Sequence, residues 1–126
     1  MARRVVKTIG APGPGGPYSQ GIIARNLVFV SGQVGTNPKT GTLPDGIKAQ
    51  TKQALTNVNS ILDAGGSSLK DAVRMGVYLR DISDFEEMNS VYRTFFASNP
   101  PARTTIQAVL AGKFLVEIDC IAQSRR

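Results

Sequence analysis

The sequence predicts an α+β fold, one mixed β-sheet with two α-helices packed on a single face. Three observations carry this. Short apolar runs rich in Val and Ile cluster at both ends of the chain, spaced as hairpins. Two intervening segments repeat their apolar residues at helical spacing. The resulting order, β-β-β-α-β-α-β-β, does not alternate strand and helix throughout, as an all-parallel sheet would. With 126 residues, the chain is read as one domain spanning 1–126.

In chain order, VVKTI (5–9) is a first or edge strand. GAPGPGGPYSQG (10–21) is too rich in glycine and proline for regular structure and forms an irregular loop. GIIARNLVFVSGQ (21–33) reads as two strands turning near Arg25–Asn26, and NPKTGTLPDG (37–46) as a second loop. The first helix covers 47–66, with Ile47, Ala54, Leu55, Val58, Ile61 and Leu62 on one face. Asp45 is placed as its N-cap and Gly65–Gly66 as its stop. AVRMGVYLRD (72–81) has strand composition. Ser83 opens a capping box, SDFE, closed by Glu86, and the second helix runs from about Asp84 to Ala97. Its apolar face is Phe85, Met88, Val91, Tyr92, Phe95 and Phe96, and Pro100–Pro101 prevent its continuation. Strands at 103–110 and 115–122 finish the chain as the second hairpin.

Composition excludes several chemistries. There is no histidine, which removes Ser–His and Cys–His nucleophile pairs and the commonest metal ligand. One cysteine, Cys120, allows no internal disulfide and sits in an apolar strand, where it is read as a small buried side chain. With no histidine and a single thiol, no dedicated zinc site is expected. The net charge is +6, but Arg3, Arg4 and Lys7 at the start, Arg125 and Arg126 at the end and mostly single cations between form no basic stripe interleaved with aromatics. No apolar run approaches the roughly 20 residues of a membrane span, and the N-terminus lacks the apolar centre of a signal peptide. A cytoplasmic protein is expected. Because no acidic residue precedes Asp45, a mitochondrial address is the alternative.

Candidate chemistry centres on PPARTTIQA (100–108) and FLVEIDCIA (114–122). Strand side chains alternate, so Arg103, Thr105 and Gln107 share one face, as do Leu115, Glu117, Asp119 and Ile121. If the two faces coincide, a guanidinium meets carboxylates. Two readings then stand open. One is a solvated salt bridge from Arg103 to Glu117 or Asp119. The other is a site where arginine forks a ligand carboxylate and a glutamate orients a water. Tyr18 in the glycine–proline loop, Ser31–Gly32 at the end of LVFV and Asn89 bordering the second helix's apolar stripe are further candidates. Each also has a purely structural reading. GPGGP lacks the GK[ST] ending of a phosphate loop.

GPYSQG (16–21), VSGQVGTNPKTG (30–41), AQTKQALTNVNSIL (49–62), VYLRDISDFEEMNSVY (77–92), PPAR (100–103) and VEIDCIA (116–122) follow in the order and spacing of the RidA family, also called YjgF or liver perchloric-acid-soluble protein, which the chain resembles over nearly its whole length. The resemblance implies a chorismate-mutase-like fold and a homotrimer with clefts between subunits. It implies cofactor-free hydrolytic deamination of reactive enamines and imines, such as 2-aminoacrylate and 2-iminopropanoate, to 2-keto acids and ammonium. Arg103 matches the carboxylate-binding arginine and Glu117 the water-positioning glutamate. Tyr18, Ser31, Gly32, Asn89 and Thr105 match substrate-binding positions. Thr105 stands where bacterial members often have cysteine. The turn LAGKF (110–114) is one residue shorter than in typical members. Asp119 replaces the second glutamate of the usual EIE pattern and is read as structural or trimer-facing. An RNA-directed role, as endoribonuclease or translation inhibitor, or chaperone-like binding of client proteins is the alternative.

Overall fold

The computed structural model describes residues 2–125, so Arg126 of the basic C-terminus lies outside the described residues. The eight expected elements form: β1 (Arg4–Val6), β2 (Gly21–Ala24), β3 (Leu27–Gln33), α1 (Ile47–Ala64), β4 (Ala72–Leu79), α2 (Phe85–Phe95), β5 (Ala102–Gln107) and β6 (Val116–Gln123). β1 is shorter than the run 5–9 suggests. The strands make one sheet in the order β1-β2-β3-β6-β4-β5. All neighbours are antiparallel except β4 and β5, which run parallel and are joined through α2.

The expected C-terminal hairpin does not form. β4 lies between β5 and β6 and pairs with both. The physical reason is burial. β4 is apolar on its helix-facing side, with Met75, Val77 and Leu79 fully buried, and a central position covers it better than an edge would.

Alternation separates the two faces. Val28, Val30, Met75, Val77, Leu79, Val116, Ile118, Cys120 and Ala122 point to the helices and are buried. From α1, Ala54, Leu55, Val58, Ile61 and Leu62 meet them with no exposed surface, as the helical stripe predicts. α2 contributes Met88 and Tyr92, and Phe96 follows just beyond its end. Buried amides on α1 pin the loop before it. Asn57 Nδ2 donates to the carbonyls of Val34 (3.0 Å) and Thr36 (2.9 Å), and Gln50 Nε2 donates to that of Pro44 (3.0 Å).

Two helix starts differ from expectation. Gly46, at φ 88°, precedes α1 and no side chain caps it, so Asp45 is not the cap. Before α2, the Asp81 carboxylate accepts from the Ser83 N–H at 2.9 Å and starts a 3-10 turn over 82–84, so Ser83 is itself capped and forms no box with Glu86. The α1 stop is as expected: Gly66 takes φ +80°, and Ser67 N–H donates to the Leu62 carbonyl at 2.8 Å.

The short turn ahead of β6 is held by one side chain. Arg80 donates from Nε to the Phe114 carbonyl (2.7 Å) and from Nη2 to those of Leu110 (2.8 Å), Gly112 (2.8 Å) and Ala111 (3.3 Å). Leu115 is fixed twice more, its N–H donating to Gln50 Oε1 (2.9 Å) and its carbonyl accepting from the Arg80 N–H (3.0 Å). Arg80→Ala leaves four carbonyls to water or to nothing. It is expected to cost about 2 kcal/mol, less than the summed hydrogen bonds because part of the turn is solvated. A lowered urea midpoint at unchanged slope checks this.

Candidate functional site

Register decides what Arg103 faces. Met75 on β4 stands level with Arg103 on β5 and with Cys120 on β6, so all three side chains share the helix-facing side. Arg103 lies at the sheet edge, where α2 ends above it. Its guanidinium carbon is 4.5 Å from the Tyr92 ring centroid and 5.7 Å from that of Phe85. A cleft of about 720 Å³ opens here, lined by Asn89, Tyr92, Arg93, Pro100, Pro101 and Arg103. No carboxylate lines it, and neither of the two ion pairs among the described residues involves Arg103. Two hydroxyls on this side, Tyr92 Oη and Thr105 Oγ1, are buried. Burial raises the Tyr92 hydroxyl above its ordinary range, and the positive charge of Arg103 opposes part of that rise.

Glu117 occupies the other side. It is level with Tyr78, and Asp119 with Gly76, which places both carboxylates on the face no helix covers. Arg103 and Glu117 are therefore on opposite faces, two strand spacings and three residues apart, with backbones on the order of 14 Å from each other. The shared face considered from strand parity does not exist within one chain, and neither does a salt bridge from Arg103 to Glu117 or Asp119. Inserting β4 between the two strands set their phases independently.

The open face has its own order. Gly32 lies against Glu117, so closely that a Cβ there would collide with the carboxylate. Ser31 Oγ donates to the Ser19 carbonyl (2.6 Å) and Ser31 N–H to that of Gln20 (3.0 Å), tying the glycine–proline loop to β3. Tyr18, next to Ser19, is half exposed, and its hydroxyl accepts from the Gly15 N–H at 3.1 Å. Asp119 accepts from the Tyr78 hydroxyl (2.8 Å) and pairs with Arg74 (3.5 Å). A side chain at Gly76 would fill the space that this cluster occupies. Burial, with Asp119 nearby, pushes the Glu117 carboxyl above its usual range. Burial, with Asp119 nearby, also pushes the Cys120 thiol up to about 12, so it stays protonated. Among the described residues, no group of three or more His, Cys, Asp or Glu could hold a metal.

The same fold recurs in known proteins. Residues 8–124 match the family model described as Endoribonuclease L-PSP. A RutC family protein of Pyrococcus horikoshii is 45% identical over 122 residues, 95% of this chain and 97% of that protein. The chain belongs to the RidA/YjgF family. The goat (Capra hircus) protein named 2-iminobutanoate/2-iminopropanoate deaminase is 42% identical over 124 residues, 97% of this RidA-family chain and 90% of its own length. The crystal structure of Escherichia coli TdcF with bound serine superposes at a TM-score of 0.92, with 36% identity, covering 95% of this chain and 98% of that one.

Within this RidA-family chain, the site positions read from sequence fall into two groups. Asn89, Arg103 and Thr105 lie on the α2 side. Glu117, Gly32, Ser31 and Tyr18 lie on the open face or in the loop tied to it. Tyr92 and Phe85, which helical spacing marks only as core, also border Arg103. The spacing Phe85, Asn89, Tyr92 on one helical face, followed by PPAR, was the signal that could have found them.

Proposed function

We propose that this chain hydrolyses the enamines and imines of 2-amino acids, such as 2-aminoacrylate and 2-iminopropanoate, to the 2-keto acid and ammonium. The observation that carries this is the half-buried guanidinium of Arg103, which opens into a cleft with no carboxylate to neutralise it. A small acid is the ligand such a group suits, since its planar fork matches a carboxylate. Glu117 orients a water that adds to C2 of the bound iminium, and the resulting carbinolamine expels ammonia. Its raised proton affinity favours accepting a proton from that water. The name of the goat relative and the serine bound to TdcF both support a site for small amino-acid derivatives.

One chain holds only half of this site on each face. The cleft is completed by a second copy in a homotrimer, the Arg103 side of one subunit meeting the Glu117 face of its neighbour. The uncovered sheet face supports this assembly. It exposes Val5, Phe29 and Ile106 at 51, 37 and 46%, an apolar surface suited to burial. Asp119, bonded to Tyr78 and Arg74 on the same face, is a structural residue there and not the water-positioning carboxylate.

The test generates 2-aminoacrylate from serine with a dehydratase and traps it with semicarbazide. Wild-type protein is expected to deplete the trapped adduct and Arg103→Ala to leave it at the level of the dehydratase alone. Equal depletion by both proteins would remove Arg103 from the reaction. A role in RNA binding draws on the net charge of +6 and the name of the family model. It is separated by salt, because RNA affinity carried by counterion release falls steeply between 50 and 200 mM, as roughly one power of salt per phosphate contact.

A further inference from the structure

Three arginines of this fold are held by oxygen: Arg80 by four carbonyls, Arg74 and Arg125 by aspartates. Arg103 is placed differently. Its guanidinium lies against ring faces, Tyr92 at 4.5 Å and Phe85 at 5.7 Å. Tyr92 is itself backed by Phe96, with ring centroids 4.6 Å apart and planes tilted by 37°. The stack Phe96–Tyr92–Arg103 thus runs from the end of α2 onto β5. Arg103 thus sits over the ring face, beside the buried Tyr92 hydroxyl, which it also influences.

We propose that Tyr92 is the positioning residue of the Arg103 site, holding the guanidinium by its ring face while leaving the positive charge unneutralised for an incoming carboxylate. This rests on the reading that Arg103 binds the substrate carboxylate. A carboxylate in Tyr92's place would fix Arg103 equally well, but the ligand would then have to displace it. A ring attracts the cation through its quadrupole at the face and leaves the N–H edge free to fork a ligand. It also removes rotamer freedom in advance, so less ordering is lost when the ligand binds.

The experiment compares wild type, Tyr92→Phe, Tyr92→Leu and Arg103→Ala in two measurements on the assembled protein: calorimetric binding of 2-oxobutanoate, and kcat and KM in the trapping assay. Tyr92→Leu is expected to weaken 2-oxobutanoate binding and raise KM by about threefold to tenfold, the range of a partly desolvated cation–π contact, with kcat changed less than about twofold. Tyr92→Phe keeps the ring and is expected to restore both values. Loss of fold alone would lower kcat through the fraction of active protein and would not be rescued in KM by phenylalanine. If Tyr92→Leu binds like wild type while Arg103→Ala does not bind, the Tyr92 inference is overturned and the carboxylate reading stands. If Arg103→Ala binds like wild type, both fall. Should Tyr92→Leu fail to assemble, the Arg103 Nε–H order parameter in ligand-free wild type decides. A value above the flexible range of about 0.6, with Hε shifted upfield by the ring, supports the cradle, and a flexible, unshifted Hε overturns it.

Discussion

Arg103→Ala and Glu117→Gln, each inactive alone, are expected to regain about a quarter of wild-type deamination when unfolded together and reassembled. In the cyclic trimer proposed above, every cleft would take Arg103 from one subunit and Glu117 from the next. Random mixing of the two variants at equal amounts leaves about one cleft in four with both native residues. Each single change carries a large penalty. Losing a bidentate guanidinium–carboxylate pair removes two charge-assisted hydrogen bonds, about a thousandfold in kcat/KM. Under the proposed mechanism, losing the Glu117 carboxylate removes the acceptor of the water's proton and costs about a hundredfold to ten-thousandfold. Recovery is read in the trapping assay on trimers whose mixed composition is verified by native mass spectrometry. Mixed trimers without recovery would place the two residues' work within one chain or deny one of them a role. The opposite-face placement of Arg103 and Glu117 makes this the sharpest test of how the site is built.

Gly32→Ala is expected to reduce kcat by about a hundredfold with little change in fold, because an added methyl must occupy the space of the Glu117 carboxylate. Glu117 is a long side chain and moves away more cheaply than β3 or β6 can separate. Under the proposed mechanism, the displaced carboxylate would then hold its water out of line with the substrate. Circular dichroism and gel filtration are expected to match wild type, while kcat falls and KM changes little. An alanine variant with normal kcat would mean that Glu117 works from another rotamer, or not at all.

Much of the architecture was legible because it rests on local pattern. The stripe Ala54, Leu55, Val58, Ile61 and Leu62 marked a helix, and all five are fully buried as that stripe requires. Gly65–Gly66 marked its end, since only glycine takes the left-handed conformation there without strain. Caps were less legible. Asp81, Ser83 and Asp84 stand close together before α2, and each is an acceptable cap by type, so geometry chose among them. The candidate site residues could be named one by one, but not where they lie relative to one another. Tyr92 belongs to the core stripe and also floors Arg103, two roles that periodicity cannot separate.

The sequence by itself determined the α+β class, the order of the eight elements, the helix-facing stripes and the family, since each follows from residue spacing along the chain. The tertiary structure alone decided that β4 lies between β5 and β6, that Asp119 answers to Tyr78 and Arg74, and that Arg103 and Glu117 face opposite ways. Alternation says which residues of one strand share a face. The face itself is set by register against strands distant in sequence, and that register is chosen by which apolar surfaces the whole sheet can bury at once.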